Sequence, residues 1–405
     1  MHILLIHQAF RALDEAGGTR HHELALYLAK HGNEVTIITS PVSYLTGNAS
    51  SGRMSWVEEL SGGSGVTILR VYTYSAIHRS FFHRVLSFIS FMFSSFVIGL
   101  RVKNVDLVWG TTPPLFQGLT AWALARLKGA DFIFEVRDLW PAFAVAVGVL
   151  TNPWLIRASE WLESFLYRHA DQVVVNSPGF ITHVTACGAE HPVIIPNGAD
   201  ADMFTQQEDD SEVRQENGWD DKFVALYAGA HGMSNDLSTL VAAANLLRDQ
   251  PKIVIVLVGD GKEKPKLRKQ AEEMGLGNIK FLRPRAKQEM PALLAAADVC
   301  IAVLKPIELY NTVYPNKVFD YMAAGKPVLL AIDGVIREVV EEARAGIFVT
   351  PGNPLALAEA IQELARDPQL CHAMGMRGRS YVESNFNRED LAKQLLELCG
   401  DLVRK

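Results

Sequence analysis

Short runs dominated by Ile, Val and Leu recur along the chain, separated by longer stretches in which apolar residues return every three or four positions. The first spacing predicts buried strands and the second amphipathic helices, and their alternation predicts parallel sheets with crossover helices. In the first half the predicted strands are HILLIHQAF, EVTIITS, VTILRVYT, DLVWGTT, DFIFEVRD, QVVVNSP and PVIIPNG. Their near-continuous apolarity implies cover on both faces. After the polar stretch Thr205 to Asp221 the series restarts with FVALYAGAHG, IVIVLVGDG, IKFLRP, VCIAVLK, PVLLAID and GIFVT. Two consecutive doubly wound α/β domains are therefore expected, at 1–204 and 205–386, with ligands sought at a cleft lined by the carboxyl ends of the strands. The last pattern, 387–402, is an amphipathic helix with Leu391, Leu395, Leu396 and Leu398. Its apolar face fits its own domain or a return to the first.

Phe81 to Leu100, FFHRVLSFISFMFSSFVIGL, departs from this pattern by being almost wholly apolar, with His78, Arg79, His83 and Arg84 before or at its start and Arg101 and Lys103 after it. A helix over it would be about 30 Å long, but the uninterrupted part from Val85 spans only about 24 Å, marginal for crossing a bilayer. It also falls between two strands of one sheet. Two readings fit: a buried crossover helix, or a peripheral membrane contact through 78–103 with basic flanks at the headgroups.

The chain has 405 residues, 49% hydrophobic and 21% charged, with a formal net charge of -6. That is enough material for two full cores, and it excludes disordered and fibrous classes. The acidic balance argues against a nucleic-acid partner. Cys187, Cys300, Cys371 and Cys399 are scattered without paired spacing, against a disulfide framework or zinc site. Met1 to Ile6 reads as a strand rather than a signal segment, so a cytoplasmic protein is expected.

Chemistry is sought at strand ends. Gly17 and Gly18 precede a helix pattern and permit close approach of a ligand to its N-terminus, or simply form a turn. DFIFEVRD carries Glu135, Arg137 and Asp138 to a sheet edge, where they must pair or face a ligand. VCIAVLK ends at Lys305, and in TVYPNKVFDYMAAGKPVLL the proline Pro315 opens a helix at Asn316, leaving free N–H groups beside Lys317. Asp320 shares a helix face with Lys317, so cation and carboxylate can meet a phosphate and a hydroxyl; an intrahelical ion pair is the plainer alternative. Asp200-Ala201-Asp202 has the form of a metal-binding string but follows the turn Pro196-Asn197-Gly198, and no metal site is expected. Histidines 7 and 231 stand at strand ends. No nucleophile elbow, paired-histidine zinc motif or phosphate-loop signature occurs.

YAGAHGMSNDLSTL, VLVGDGKEKPKL, LYNTVYPNKVFDYMAAGKPVLL and EVRDLWP together resemble the GT-B glycosyltransferases of family 4, nearest to bacterial N-acetyl-L-fucosaminyltransferase-like enzymes of surface-polysaccharide assembly. The resemblance implies two Rossmann-like domains and retaining, metal-independent transfer from a UDP-sugar, possibly of an N-acetylated amino sugar. It implies no cofactor, a polyprenyl-diphosphate-linked or glycan acceptor, and a place at the inner face of the bacterial plasma membrane. Asp320 falls where the family commonly has a ribose-binding glutamate, and Thr312 where another glutamate approaches the donor sugar. The Arg and Lys that members often carry after the first strand of the second domain have no counterpart between Ala228 and Leu237. The leaving diphosphate then falls to Lys305, Lys317 and the helix start at Asn316, with Arg283 or Arg285, His231, Gly232, Gly17 and Gly18 completing the donor-binding set. Arg137 and Asp138 occupy the place of a family His-Asp pair, with Asp138 nearest the reacting centre. A UDP-sugar 2-epimerase and a non-catalytic nucleotide-sugar-binding partner are the alternatives of the same architecture.

Overall fold

In the computed structural model, residues 1–42, 57–61, 65–75, 81–204 and 211–404 are described. His78 and Arg79 of the basic flank lie outside them, as do the first six residues of the polar stretch 205–221. The chain forms two compact units, one of residues 1–12, 18–196 and 389–405, the other of 13–17 and 197–388.

The first unit runs β1 (His2–Ile6), α1 (Arg20–Lys30), β2 (Glu34–Thr39), β3 (Val57–Ser61), β4 (Val66–Val71) and α2 (Phe81–Arg101). It continues through β5 (Leu107–Thr111), α3 (Leu115–Lys128), β6 (Asp131–Val136), α4 (Ala142–Ala146), α5 (Pro153–His169), β7 (Gln172–Val175), α6 (Ile181–Ala186) and β8 (Val193–Ile194). The strand order is β3-β4-β2-β1-β5-β6-β7-β8, parallel except for β3, which pairs antiparallel with β4. Every strand read from the apolar runs is present; β3, sequence VEELS, is the addition. Two glutamates interrupt its apolar pattern, as suits a sheet edge.

The second unit runs α7 (Ser211–Asn217), β9 (Phe223–Ala228), α8 (Leu237–Leu246), β10 (Ile253–Val258), α9 (Lys264–Glu273), β11 (Ile279–Leu282), α10 (Met290–Ala295) and β12 (Val299–Val303). It then has α11 (Asn316–Ala323), β13 (Val328–Ala331), α12 (Val335–Glu342), β14 (Gly346–Phe348), α13 (Pro354–Arg366) and α14 (Pro368–Asn385). The last helix, α15 (Arg388–Val403), leads back to the first unit. The six strands are all parallel, in the order β11-β10-β9-β12-β13-β14. Alternate residues of β9 feed opposite cores: Val224 and Leu226 meet Phe319, Met322 and Val340, whereas Ala225 and Tyr227 meet Leu240, Leu357 and Ile361.

The boundary expected at 204/205 lies earlier, after Pro196. Ala199 and Phe204 are buried in the second unit's core, so residues 197–204 are packed structure rather than linker. The outgoing and returning segments also run side by side: Ala199 N–H donates to Phe386 O at 3.1 Å and Arg388 N–H to Ala199 O at 3.0 Å. The C-terminal helix resolves to the first unit, where Leu391, Ala392, Leu395 and Cys399 share a core with Leu24, Ala25 and Leu28 of α1.

Helix α11, which carries Lys317 and Asp320, is anchored by a close crossing with α14. A Cβ on Gly375 would lie 1.9 Å from the carbonyl oxygen of Gly325, the left-handed residue that ends the α11 turn. Gly375→Ala is expected to cost about 1–3 kcal/mol through overpacking, read as a lower urea midpoint at unchanged slope. An unaltered midpoint would show that α14 does not clamp α11.

Candidate functional site

In the second unit the site is built where β9, β10 and α11 end or begin. Gly229, with φ +151°, follows β9, and a Cβ there would meet Lys317 Nζ at 2.7 Å. Gly259, with φ +143°, follows β10, and its Cβ would fall 1.9 Å from Gly229 O. Only glycines allow these two loops to close on each other and on the lysine. His231 N–H donating to Asp260 O at 2.8 Å and Glu263 N–H to His231 O at 2.9 Å stitch the loops together. Tyr227 Oη donates to Ala230 O at 2.8 Å, and Tyr321 of α11 accepts from Ala228 N–H at 2.9 Å. The base of the site is thus hydrogen-bonded and rigid.

His231, whose two ring nitrogens are buried without a hydrogen-bond partner, is one exception, and Lys317 is another. Its Nζ is buried, has no hydrogen-bond partner and lies 3.8 Å from the centre of the Tyr227 ring. The ring face supplies part of the lost hydration through a cation–π contact. Burial still drives the lysine pKa from 10.5 to about 7. Nearby, the buried Asn316 Oδ1 also has no partner, and α11 begins after Pro315 without a side-chain cap. An unpartnered lysine beside open helix N–H groups is an arrangement that can hold an anion.

Asp320 does not pair with Lys317. Its Oδ1 accepts from Lys287 Nζ at 2.6 Å, and the same ammonium lies 5.1 Å from the Phe204 ring centre. Lys287, one 33-residue step away in sequence, was not among the expected residues; a local motif search has no signal for it. The pairing leaves Lys317 as the unneutralised charge, with Asp320 held in place beside it. His231 is fully buried, and its pKa falls to about 4 through burial first and the Lys264 charge second. It is thus neutral at pH 7, a packing and backbone-positioning residue. Lys264 is committed to Gly259 O at 2.6 Å and Leu282 O at 2.7 Å. Arg283 and Arg285 both pair with Glu289 Oε1, at 3.0 and 2.7 Å. Lys305 N–H donates to Ser234 O at 2.9 Å, which ties the end of β12 to the loop carrying half-buried Gly232. Thr312 Oγ1 donates to Leu309 O at 2.7 Å within its own turn. Asp200 of the candidate metal string accepts from Asp202 and Met203 N–H at 3.0 and 3.2 Å, closing a turn.

The first unit has a separate polar centre at the ends of β1, β5 and β6. Glu135 is buried and accepts from Arg20, from His21 Nε2 at 2.6 Å and from Trp109 Nε1 at 3.1 Å. Burial alone would raise its pKa, but Arg20, then His21 and Arg137, overcome this and hold it well below the usual carboxylate range. Gly17 and Gly18 are exposed, whereas the first residues of α1, Arg20 and His21, turn inward to this acid. Glu135 therefore pairs with α1 rather than with its neighbour Arg137, which reaches His7 Nε2 at 2.8 Å. Arg137 and Asp138 N–H both donate to Thr112 Oγ1, at 2.9 and 3.3 Å. Asp138 is a half-buried residue, and desolvation of its carboxylate raises its pKa to about 6 against the opposing pull of Arg137. Sequence reasoning found Glu135, Arg137 and Asp138 but missed Arg20, His21 and Trp109, whose side chains converge only through the sheet.

Comparison with known proteins accounts for this layout. Residues 16–198 match the family described as glycosyl transferase 4-like domain, and residues 209–381 that described as glycosyl transferases group 1. The chain belongs to the family-4 glycosyltransferases of GT-B fold. A putative colanic acid biosynthesis glycosyl transferase, WcaI of Escherichia coli, is 25% identical over 387 residues, covering 92% of this chain and 93% of that protein. Among solved structures, sucrose-phosphate synthase from Thermosynechococcus elongatus superposes with TM-score 0.77 at 21% identity, covering 99% and 98% of the two chains. Anabaena Alr3699/HepE in complex with UDP-glucose gives 0.70 at 19% identity over 99% and 100%. The expected fold, two Rossmann-like parallel-sheet units, is that of the family.

The buried ammonium has a measurable signature. Between pH 7 and 10.5 the unfolded chain holds a proton at Lys317 that the folded chain has shed, so stability rises with pH across this window. Lys317→Met is expected to be more stable than the parent in urea at pH 6, with the gap narrowing by pH 9. A variant no more stable at pH 6 would mean that the ammonium has a partner.

Proposed function

We propose that this glycosyltransferase moves a sugar, retaining its anomeric configuration and without a metal, from a UDP-sugar to a lipid-linked or glycan acceptor in surface-polysaccharide assembly. The carrying observation is the buried Lys317 Nζ, which lacks any hydrogen-bond partner beside the open start of α11. A pyrophosphate satisfies both features at once. As the bond between the anomeric carbon and the phosphate oxygen breaks, charge builds on the leaving UDP, and Lys317, charged once the diphosphate raises its pKa, stabilises it in a dry site. Lys305 lies at the adjoining strand end, and Asp320, fixed by Lys287, offers its remaining acceptor capacity to the ribose hydroxyls.

In the first unit Asp138 orients the sugar or the acceptor hydroxyl, and Arg137 steadies it. Transfer proceeds on one face: the acceptor oxygen bonds to the anomeric carbon, the phosphate oxygen departs, and the hydroxyl proton passes to that phosphate. Asp138 forms no covalent bond in this scheme, so a glycosyl-Asp138 adduct found by mass spectrometry would overturn it. The role in surface polysaccharide is supported by the likeness to WcaI, a putative glycosyl transferase of colanic acid biosynthesis, and the choice of uridine nucleotide by the complex of HepE with UDP-glucose. The chain works at the cytoplasmic side of the plasma membrane, touching it through α2, which displays Phe93, Val97 and Leu100 to solvent. An amino-sugar donor is the substrate to try first.

UDP is expected to raise the melting temperature of the full chain. It should also take up a proton on binding at pH 8, because the diphosphate pushes the Lys317 pKa back up; calorimetry in two buffers of different ionisation enthalpy reads this. Lys317→Ala should abolish the uptake and lower turnover by about 10²–10³-fold, the usual loss for one such stabilising group. Equal proton uptake or intact turnover in the variant would refute the assignment.

A further inference from the structure

Helices α2, α3 and α5 link successive parallel strands on the sheet face opposite α1 and α15. They pack side by side: α2 meets α3 where a Cβ on Gly99 would lie 2.4 Å from Leu124, and α3 meets α5 where one on Gly118 would lie 2.9 Å from Leu166. What they leave outward is unusual. Phe93 of α2 is 62% exposed and Leu127 of α3 66%, while α5 exposes Trp154 at 76% and Trp161 at 66%. Large aromatic rings are seldom left in water without a partner, and grouped ones mark an interaction surface. Trp161 is not a loose side chain, because it stacks on Phe165 at 5.4 Å, which in turn meets Trp122 of α3 edge-on at 4.8 Å.

Charge identifies the occupant. The chain as a whole is acidic, yet α2, α3 and α5 together carry six Lys or Arg residues against two acids, and one of those acids, Glu163, is buried. Arg157 lies 5.8 Å from the Trp154 ring centre, pairing a cation with the most exposed aromatic. Two exposed tryptophans with Arg157 between them, beside the one exposed acid Glu160, suit the boundary of an anionic bilayer, where the ring enters the headgroup layer and the cation meets lipid phosphate. We propose that α5, through Trp154 and Trp161, docks the first unit onto an anionic membrane surface together with the apolar stripe of α2. The inference rests on the membrane-side acceptor proposed above and extends the contact to a helix that the sequence pattern did not single out.

The test uses the full chain with phosphatidylcholine vesicles, with or without phosphatidylglycerol, in a flotation assay. Binding is expected on the anionic vesicles, weak on the neutral ones and weakened by salt. The double variant Trp154→Ala/Trp161→Ala should bind at least about tenfold more weakly while its urea midpoint and its thermal shift with UDP stay near the parent's. Arg157→Gln should reduce binding to anionic vesicles and leave neutral vesicles unaffected. Unchanged binding in the double variant would overturn the role of α5. Absent vesicle binding with a normal UDP shift would overturn the docking alone and leave the donor assignment standing. Light scattering that finds parent self-association abolished in the double variant would assign the face to a second copy of this chain, against the proposal.

Discussion

One buried ammonium group organises the second unit's site. Holding Lys317 away from water costs enough to bring its pKa to about 7, and the surroundings are arranged around that cost. Tyr227 lies under the ammonium, Gly229 makes room for it, and Gly259 lets the neighbouring loop close over Gly229. Tyr321, one turn along α11, joins the helix to the end of β9. Each of these residues supports the sheet edge and also helps keep a charge unsolvated. A site satisfied before its ligand arrives would have little differential affinity to offer; this one holds a buried lysine amine without a hydrogen-bond partner, and the fold bears the expense.

The first unit takes the opposite course with its buried acid. Glu135 is saturated by Arg20, His21 and Trp109, so it fixes the start of α1 against β5 and β6 rather than meeting substrate. Arg20 and the neutral His21 hold Glu135 away from Arg137, and Asp138 is left half-buried with a raised pKa. Two acids three positions apart thus differ because the desolvation of one is outweighed by Arg20, His21 and Arg137, while that of the other is opposed by Arg137 alone. Sequence proximity alone does not separate them.

Apolar periodicity made both sheets legible, because strands covered on two faces leave unbroken Ile and Val runs. The edge strand β3 was not legible, since VEELS pairs on one side only and retains charge. The boundary was misread for a related reason: the polar stretch after Thr205 looked like a linker, while Phe204 and Ala199 had already entered the second core. At the site, spacing on α11 put Lys317 and Asp320 on one face. It could not reveal that Asp320 is claimed by Lys287 and that Arg283 and Arg285 are held by Glu289. Long-range partners leave no local pattern. The apolarity of α2 was equally plain, but which of its residues reach solvent depends on where α3 packs.

The return of α15 to the first unit sets an order of assembly during synthesis. Leu391, Leu395 and Cys399 complete the core over α1, yet they follow the whole second unit in the chain. Domains generally fold as they leave the ribosome. Here the earlier-made sheet must wait, with the surface of α1 uncovered, until some 190 intervening residues have emerged. The unit translated second has every strand of its sheet in hand before the unit translated first is closed, which makes the nascent first unit a natural client for a chaperone.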